Sequence, residues 1–256
     1  MKKTASLFCL LIVAFHGYTQ SVFTYDMPKD IAIGAASLGL FISPFFVSNE
    51  PEAPPAALDK NSVNAFDRSL MFPYNKPLDL ISDIGVYGLL ALPALSLIGN
   101  FTDKDALLTY GIMYTEAVLL TLGTKELLKN AVIRYRPYMY AGAVPAGLET
   151  DYYNSFPSGS TALAFLSAGF LSATFSAEHP DSPLNLPVIG GAYAVAAGIA
   201  ACRIFSGSHF LSDVLAGAAI GTVYGWVLPI LHKKQNAGHT ITLRLLGNGI
   251  AVSFRF

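Results

Sequence analysis

Charge is scarce in this chain. Asp, Glu, Lys and Arg make up 13% of its 256 residues, and 16 basic against 17 acidic side chains leave a formal net charge of -1. That balance excludes the strongly basic face on which nucleic-acid binding depends. Cysteine is scarcer still, with only Cys9 and Cys202 present. Cys9 falls in a segment read below as a signal, so no intramolecular disulfide is expected in the mature chain. No internal repeat is visible, and no His/Cys/Asp group stands at metal-ligand spacing, so neither a metal nor a cofactor is expected. Hydrophobic residues fill the remainder, at 53% of the chain with a mean hydropathy of +0.47. Such a composition is too apolar for an ordinary soluble globule.

The apolar residues are grouped. Met1-Lys2-Lys3 followed by a short apolar run from Ala5 to Phe15 and polar residues to Gln20 reads as a secretory signal over residues 1–20. Six apolar segments follow: Ile31 to Val47, Ile84 to Ile98, Ala106 to Gly123, Thr161 to Ala177, Pro187 to Cys202 and Phe210 to Leu231. Several fall short of the roughly 20 residues that span a bilayer, unless flanking polar turns lengthen them. The expected fold is all-α, a six-helix membrane bundle over residues 21–236. A β-hairpin tail over 237–256 is read from alternating residues around Gly247-Asn248-Gly249. The Pro-rich stretch from Ser48 to Leu78 reads as a connector on the side of the motifs below. Five tyrosines between Tyr135 and Tyr153 fit an interfacial aromatic band or substrate contacts.

Against this background the few charges cluster. Lys129 and Arg136 are seven residues apart, and Pro137 disfavours helical geometry at Arg136. The helix is therefore expected to end before Arg136, with Lys129 on its last turn. That placement avoids the cost of about 2.5–3.5 kcal/mol for a cation at the bilayer centre. Pro157-Ser158-Gly159 precedes an apolar helix starting near Ser160, and free amides at a helix start seat anions. Ser158 can add a hydroxyl donor. Asp213 follows His209 by four residues, so one helix face presents a carboxylate that can orient an imidazole nucleophile. Arg203 reaches the same volume across the Ser206-Gly207-Ser208 turn. Glu116, mid-segment in the third apolar run, is a candidate functional or structural intramembrane carboxylate.

Lys129-x6-Arg136-Pro137, Pro157-Ser158-Gly159 and Arg203-x5-His209-x3-Asp213 together resemble the three signature motifs of the type 2 phosphatidic acid phosphatases, a superfamily that includes bacterial lipid phosphatases and acid phosphatases. The resemblance implies a metal-free phosphohistidine mechanism. His209 would attack phosphorus and Asp213 would orient it, while Lys129, Arg136, Ser158, Gly159 and Arg203 would hold the phosphoryl oxygens. It implies a lipid phosphate or diphosphate as substrate, with the membrane as its surroundings. An exported acid phosphatase acting on small phosphoesters is one alternative, and a non-catalytic anion- or lipid-binding membrane protein is another.

The chain departs from the motif pattern at Cys202, in place of a serine, and at Ser160. The latter stands where the family's second histidine protonates the leaving group. A serine hydroxyl is a poor acid near neutral pH, so leaving groups that need little protonation, such as those of diphosphates, are expected to be favoured. Glu149, Asp151 and Asp67 are loop acids that could substitute. Lys233-Lys234, after the last segment, suggest a cytoplasmic end there. The expected location is thus the inner membrane of a bacterial envelope with the site facing the periplasm. That orientation agrees with a cleaved signal only if Ile31 to Val47, which contains Gly34 and Pro44, does not span.

Overall fold

The computed structural model describes residues 21–46, 58–97, 103–142, 145–148 and 151–234, together with the backbone of 240–246 and 249–255. The expected signal and Glu149 lie outside the described residues. Six long helices carry the architecture: α1 Met27–Ile42, α2 Lys76–Leu90, α3 Lys104–Ala131, α4 Gly159–Glu178, α5 Asn185–Phe205 and α6 Leu211–His232. Polar caps fix several of their starts, because the first amides of a helix lack intrahelical acceptors. Asp26 accepts from Lys29 N, Asn75 from Leu78 N, Asp103 from the Asp105 and Ala106 amides, and Ser158 from Thr161 N. These caps place the starts of α1, α2, α3 and α4 ahead of the apolar runs.

With the 3-10 turns that continue α1 and α2, the six candidate spans run from 20 to 28 residues. The protein is an integral membrane protein, and its fold is a helical membrane bundle. The first segment does not stop short. Val22 O accepts from Lys234 N, and Thr24 N donates to the carbonyl of His232 at 2.9 Å, so the start of α1 and the end of α6 share one end of the bundle. Farther along, α1 packs on α3, where a Cβ at Gly123 would stand 2.6 Å from the Leu40 carbonyl carbon. The tail pairs as antiparallel strands β1 Thr240–Leu246 and β2 Gly249–Arg255, with Leu246 opposite Gly249.

Helix α4 is the centre of the bundle, flanked by α5, α6 and α2. Its contact with α6 is backbone on backbone. Gly217, Gly221 and Gly225 recur every four residues on α6, and a Cβ at these positions would meet Ser158 O at 2.4 Å, Ala162 O at 2.0 Å and Leu166 O at 2.6 Å. Small residues at such spacing let helices approach in a bilayer, where packing rather than hydrophobicity drives association. This contact sets α4, and with it the Ser158 cap, against the start of α6. One apolar cluster gathers Leu89, Leu171, Phe175 and Ile199, and a second gathers Tyr110, Met113, Leu166, Phe170 and Leu228.

Gly221→Ala is expected to lower the midpoint of thermal unfolding in detergent, at a cost of about 1–3 kcal/mol from overpacking. Gly198→Ala, on α5 with nothing within 4 Å of the added carbon, is expected to be neutral or stabilising. Equal midpoints for the two variants would contradict the close α4–α6 contact.

Candidate active site

Beyond Ala131 the chain leaves α3 and runs extended beside residues 152–155. Arg134 N donates to Tyr153 O at 3.0 Å, Ser155 N to Arg134 O at 3.0 Å and Arg136 N to Tyr152 O at 2.8 Å. This pairing brings the first two motif segments together. The third joins through the turn at Gly207, whose carbonyl accepts from Tyr138 N at 3.1 Å. Gly207 has φ +70°, and a Cβ there would stand 2.4 Å from Phe72 O, so no side chain fits that turn. The five tyrosines do not form a membrane-facing band. Tyr138, Tyr152 and Tyr153 are buried with Met139, and Tyr74, Tyr135 and Tyr140 pack around them, making a small core that supports the loops.

His209 is buried at the base of this junction. Its Nδ1 donates to Ser155 O at 2.7 Å, which leaves Nε2 unprotonated and accepting from Arg136 Nη1 at 3.1 Å. Arg136 is itself buried and multiply bonded. It donates from Nε to Asp151 O at 2.8 Å, from Nη1 to Ser208 O at 2.8 Å and from Nη2 to the Asp151 carboxylate. Arg203 Nη1 donates to Asp79 Oδ1 at 2.6 Å, Ser82 Oγ at 3.0 Å and Asp83 Oδ1 at 3.2 Å. Together these groups face a cavity of about 320 Å³.

Of the residues expected from the sequence, Lys129, Arg136, Gly159, Ser160, Arg203 and His209 line that cavity. Lys129 lies in the last turn of α3 and Arg136 beyond the helix end. Ser158 and Asp213 do not line it. The Ser158 hydroxyl is fully buried, 2.9 Å from Thr161 Oγ1, and caps α4 by accepting from Thr161 N. The hydroxyl expected to meet a phosphoryl oxygen is thus committed to holding the helix start.

Asp213 stands behind the histidine, with Oδ2 3.9 Å from Nδ1. It accepts from Ser155 Oγ at 2.5 Å and from Phe210 N at 2.8 Å. Orientation therefore passes through Ser155, whose carbonyl holds the imidazole and whose hydroxyl holds Asp213.

Several neighbours were not expected from the sequence. Arg134 bonds Asp213 and donates to Asp67 Oδ2 at 2.6 Å, while its guanidinium lies 4.3 Å over the Phe210 ring. Asp67 also accepts from Ser212 N at 2.9 Å and Ser212 Oγ at 2.7 Å. Burial pushes its carboxyl up, but hydrogen bonds from Asn64, Ser212 and Arg134 outweigh this and hold it below its usual range. Asp67 is thus a fixed anion under the site rather than a substitute acid, and Asp151 is paired with Arg136. Asp83 lines the same cavity as Ser160. Asp79, Ser82 and Asp83 lie three and four residues apart, a polar stripe at the start of α2 that could have been read as a site-facing helix edge.

A family model described as the PAP2 superfamily matches residues 110–237. The chain belongs to that superfamily. Its class is accordingly that of a phosphatase, a hydrolase. Two solved structures are similar to it. LpxE from Aquifex aeolicus shares 26% identity with a TM-score of 0.41, over 63% of this chain and 90% of that one. The first transmembrane PAP2 type phosphatidylglycerolphosphate phosphatase from Bacillus subtilis shares 20% identity with a TM-score of 0.44, over 93% of this chain and 99% of that one. No curated protein matches this PAP2 member.

The histidine's electrostatics suit a nucleophile. Burial disfavours its cationic form, and the charges of Arg136, Arg203 and Lys129 disfavour it further, so its pKa lies well below 6.5. The imidazole is neutral at pH 7, with its lone pair available. By nitrogen NMR of histidine-labelled protein in detergent, His209 is expected to stay neutral as pH falls through 6.5. In Arg136→Gln, removal of one nearby cation should move its midpoint upward. A wild-type midpoint at or above 6.5 would contradict the cation-lined cavity.

Proposed function

We propose that this PAP2 member is a membrane phosphatase that hydrolyses a lipid phosphate or diphosphate through a phosphohistidine. The observation that carries this reading is His209 Nε2, free of a proton and facing a cavity edged by Lys129, Arg136 and Arg203. The same cavity continues onto apolar side chains. Val86, Tyr87 and Leu163 line it on α2 and α4, and Tyr87 is largely exposed. A phosphate head at the membrane surface can therefore sit among the cations while its apolar tail stays in the bilayer.

In the first step Nε2 forms a bond to phosphorus as the bond to the leaving oxygen breaks. Lys129, Arg136, Arg203 and the amides at the start of α4 hold the phosphoryl oxygens as charge builds on them. Asp213 acts on His209 by fixing Ser155. Water then attacks the phosphohistidine, releasing inorganic phosphate and restoring the imidazole.

The leaving oxygen needs a proton unless it is already a good leaving group. Ser160 occupies the leaving-group side, and Asp83, which lines the same cavity, supplies the acid there. Asp83 shares Arg203 with Asp79, and an incoming phosphate that takes over Arg203 would leave the Asp83 carboxyl free to hold a proton.

Phosphate release from lipid substrates is expected to vanish in His209→Ala, and radiolabelled substrate should trap label on the wild-type protein at His209. Asp83→Asn is expected to slow a lipid monophosphate about 100-fold and a diphosphate much less. Ser160→His should favour the monophosphate. Equal relative changes on the two substrates would exclude an acid on this side.

Orientation belongs to the same proposal. Ser21 and Lys234 meet at the end opposite the site, where Lys234 Nζ donates to Ser21 O at 2.7 Å. We place that end in the cytoplasm on the strength of Lys233-Lys234, and the site at the periplasmic face of a bacterial inner membrane. This keeps Ser21 inside. Reporter fusions at Leu58 and after Lys234 should report periplasm and cytoplasm respectively, and the reverse would invert the protein.

A further inference from the structure

Three titratable side chains that the phosphatase site does not use converge at the other end of the bundle. Asp30 lies in the first turn of α1, Glu116 in α3 and His232 at the end of α6. All three are buried, at 4%, 3% and 0% exposure. The His232 Nδ1 stands 2.8 Å from Leu228 O, and a carbonyl only accepts, so that nitrogen carries a proton. Nε2 then faces the carboxylates, 2.7 Å from Asp30 Oδ1 and 3.5 Å from Glu116 Oε2. Asp30 Oδ2 accepts from Asp26 N at 2.6 Å. Asp30 Oδ1, both Glu116 oxygens and His232 Nε2 complete no hydrogen bond. The neighbouring cation Lys29 has Nζ 3.8 Å from Asp30 Oδ1, but it is partly exposed and donates to Leu231 O at 3.0 Å.

Three buried carboxylate oxygens without donors, set against an imidazole nitrogen, make an unfavourable arrangement unless a cation joins them. We propose that Asp30, Glu116 and His232 bind a divalent transition-metal ion of the zinc class. Their ligand atoms lie within 4.8 Å of one another. Zinc bonds of 2.0–2.2 Å place tetrahedral ligands about 3.3 Å apart, so small side-chain rotations close the site.

A nitrogen with two carboxylate oxygens is a zinc-type donor set. The Nδ1–H bond to a backbone carbonyl is how metal-bound imidazoles are held in one tautomer. Charge favours the ion over a proton, since a divalent cation neutralises both carboxylates and an imidazolium neutralises one. A cavity of about 520 Å³, bordered by Tyr25, Asp30, Gly34 and Glu116, gives access and room for a fourth ligand. Bound there, the ion clamps α1, α3 and α6 together, away from the phosphate cavity.

The test uses the full chain, purified in detergent through a histidine-free tag and assayed for metal by mass spectrometry. Zinc is expected at about one ion per chain, as bound or after dialysis against zinc and desalting. Glu116→Gln and His232→Ala should each lose most of it. Chelation should lower the wild-type unfolding midpoint by at least about 3 °C, with zinc restoring it. If His232→Ala fails to fold, the nearly isosteric Glu116→Gln and the chelation arm carry the test. Wild-type protein that takes up no zinc, zinc retained in full by Glu116→Gln, or a midpoint indifferent to both chelator and zinc would overturn the proposal and leave a proton as the occupant.

Discussion

One buried guanidinium holds the candidate active site together. Arg136 reaches Ser208 O and His209 in the third motif segment, and Asp151 in the loop that leads to the second. Planar donors in a fixed fork can satisfy several acceptors at once, which a lysine ammonium on a flexible stem does less well. The bond network also sets the electrostatics, because the charge that ties the loops together is the charge that keeps His209 neutral. The position and the electrostatics of His209 thus depend on the same side chain.

Behind that layer the site rests on compensated charge. Arg134 bridges Asp67 and Asp213, and Arg203 is held by Asp79 and Asp83. In surroundings this apolar each buried charge needs a partner. The cavity therefore contains acids interleaved with its cations. The other end of the bundle lacks such balance. There two carboxylates meet a histidine whose proton is committed to a carbonyl, and the same physical rule that explains the paired charges around His209 points to an added cation.

Much of this was legible in the chain itself. The six apolar runs gave six long helices, and Pro137 ended the helix before Arg136 as its chemistry requires. The order of the three motifs was enough to gather six cavity-lining residues. Three things were not legible. Ser158 reads as a donor in a motif, yet its hydroxyl caps α4. Asp213 reads as the histidine's partner at four residues' distance, yet Ser155 stands between them. The tyrosines read as an interfacial band or as substrate contacts, yet they pack into a local core. In each case the side chain had two chemically sensible partners, and local spacing cannot rank them.

The sequence by itself determined the class of structure and chemistry: apolar helices that belong in a bilayer, and a histidine with basic residues at their ends. Those follow from composition and from short-range periodicity, which the backbone obeys locally. Only the tertiary structure decided which carboxylate faces which cation. Asp83 meets Arg203, Asp67 meets Arg134, and Asp30 meets Glu116 and His232 across separations no local pattern spans. These contacts are fixed by how closely α4 and α6 approach and by the loops folded over their ends. Charge pairing in a low-dielectric interior is a property of that packing rather than of the order of residues along the chain.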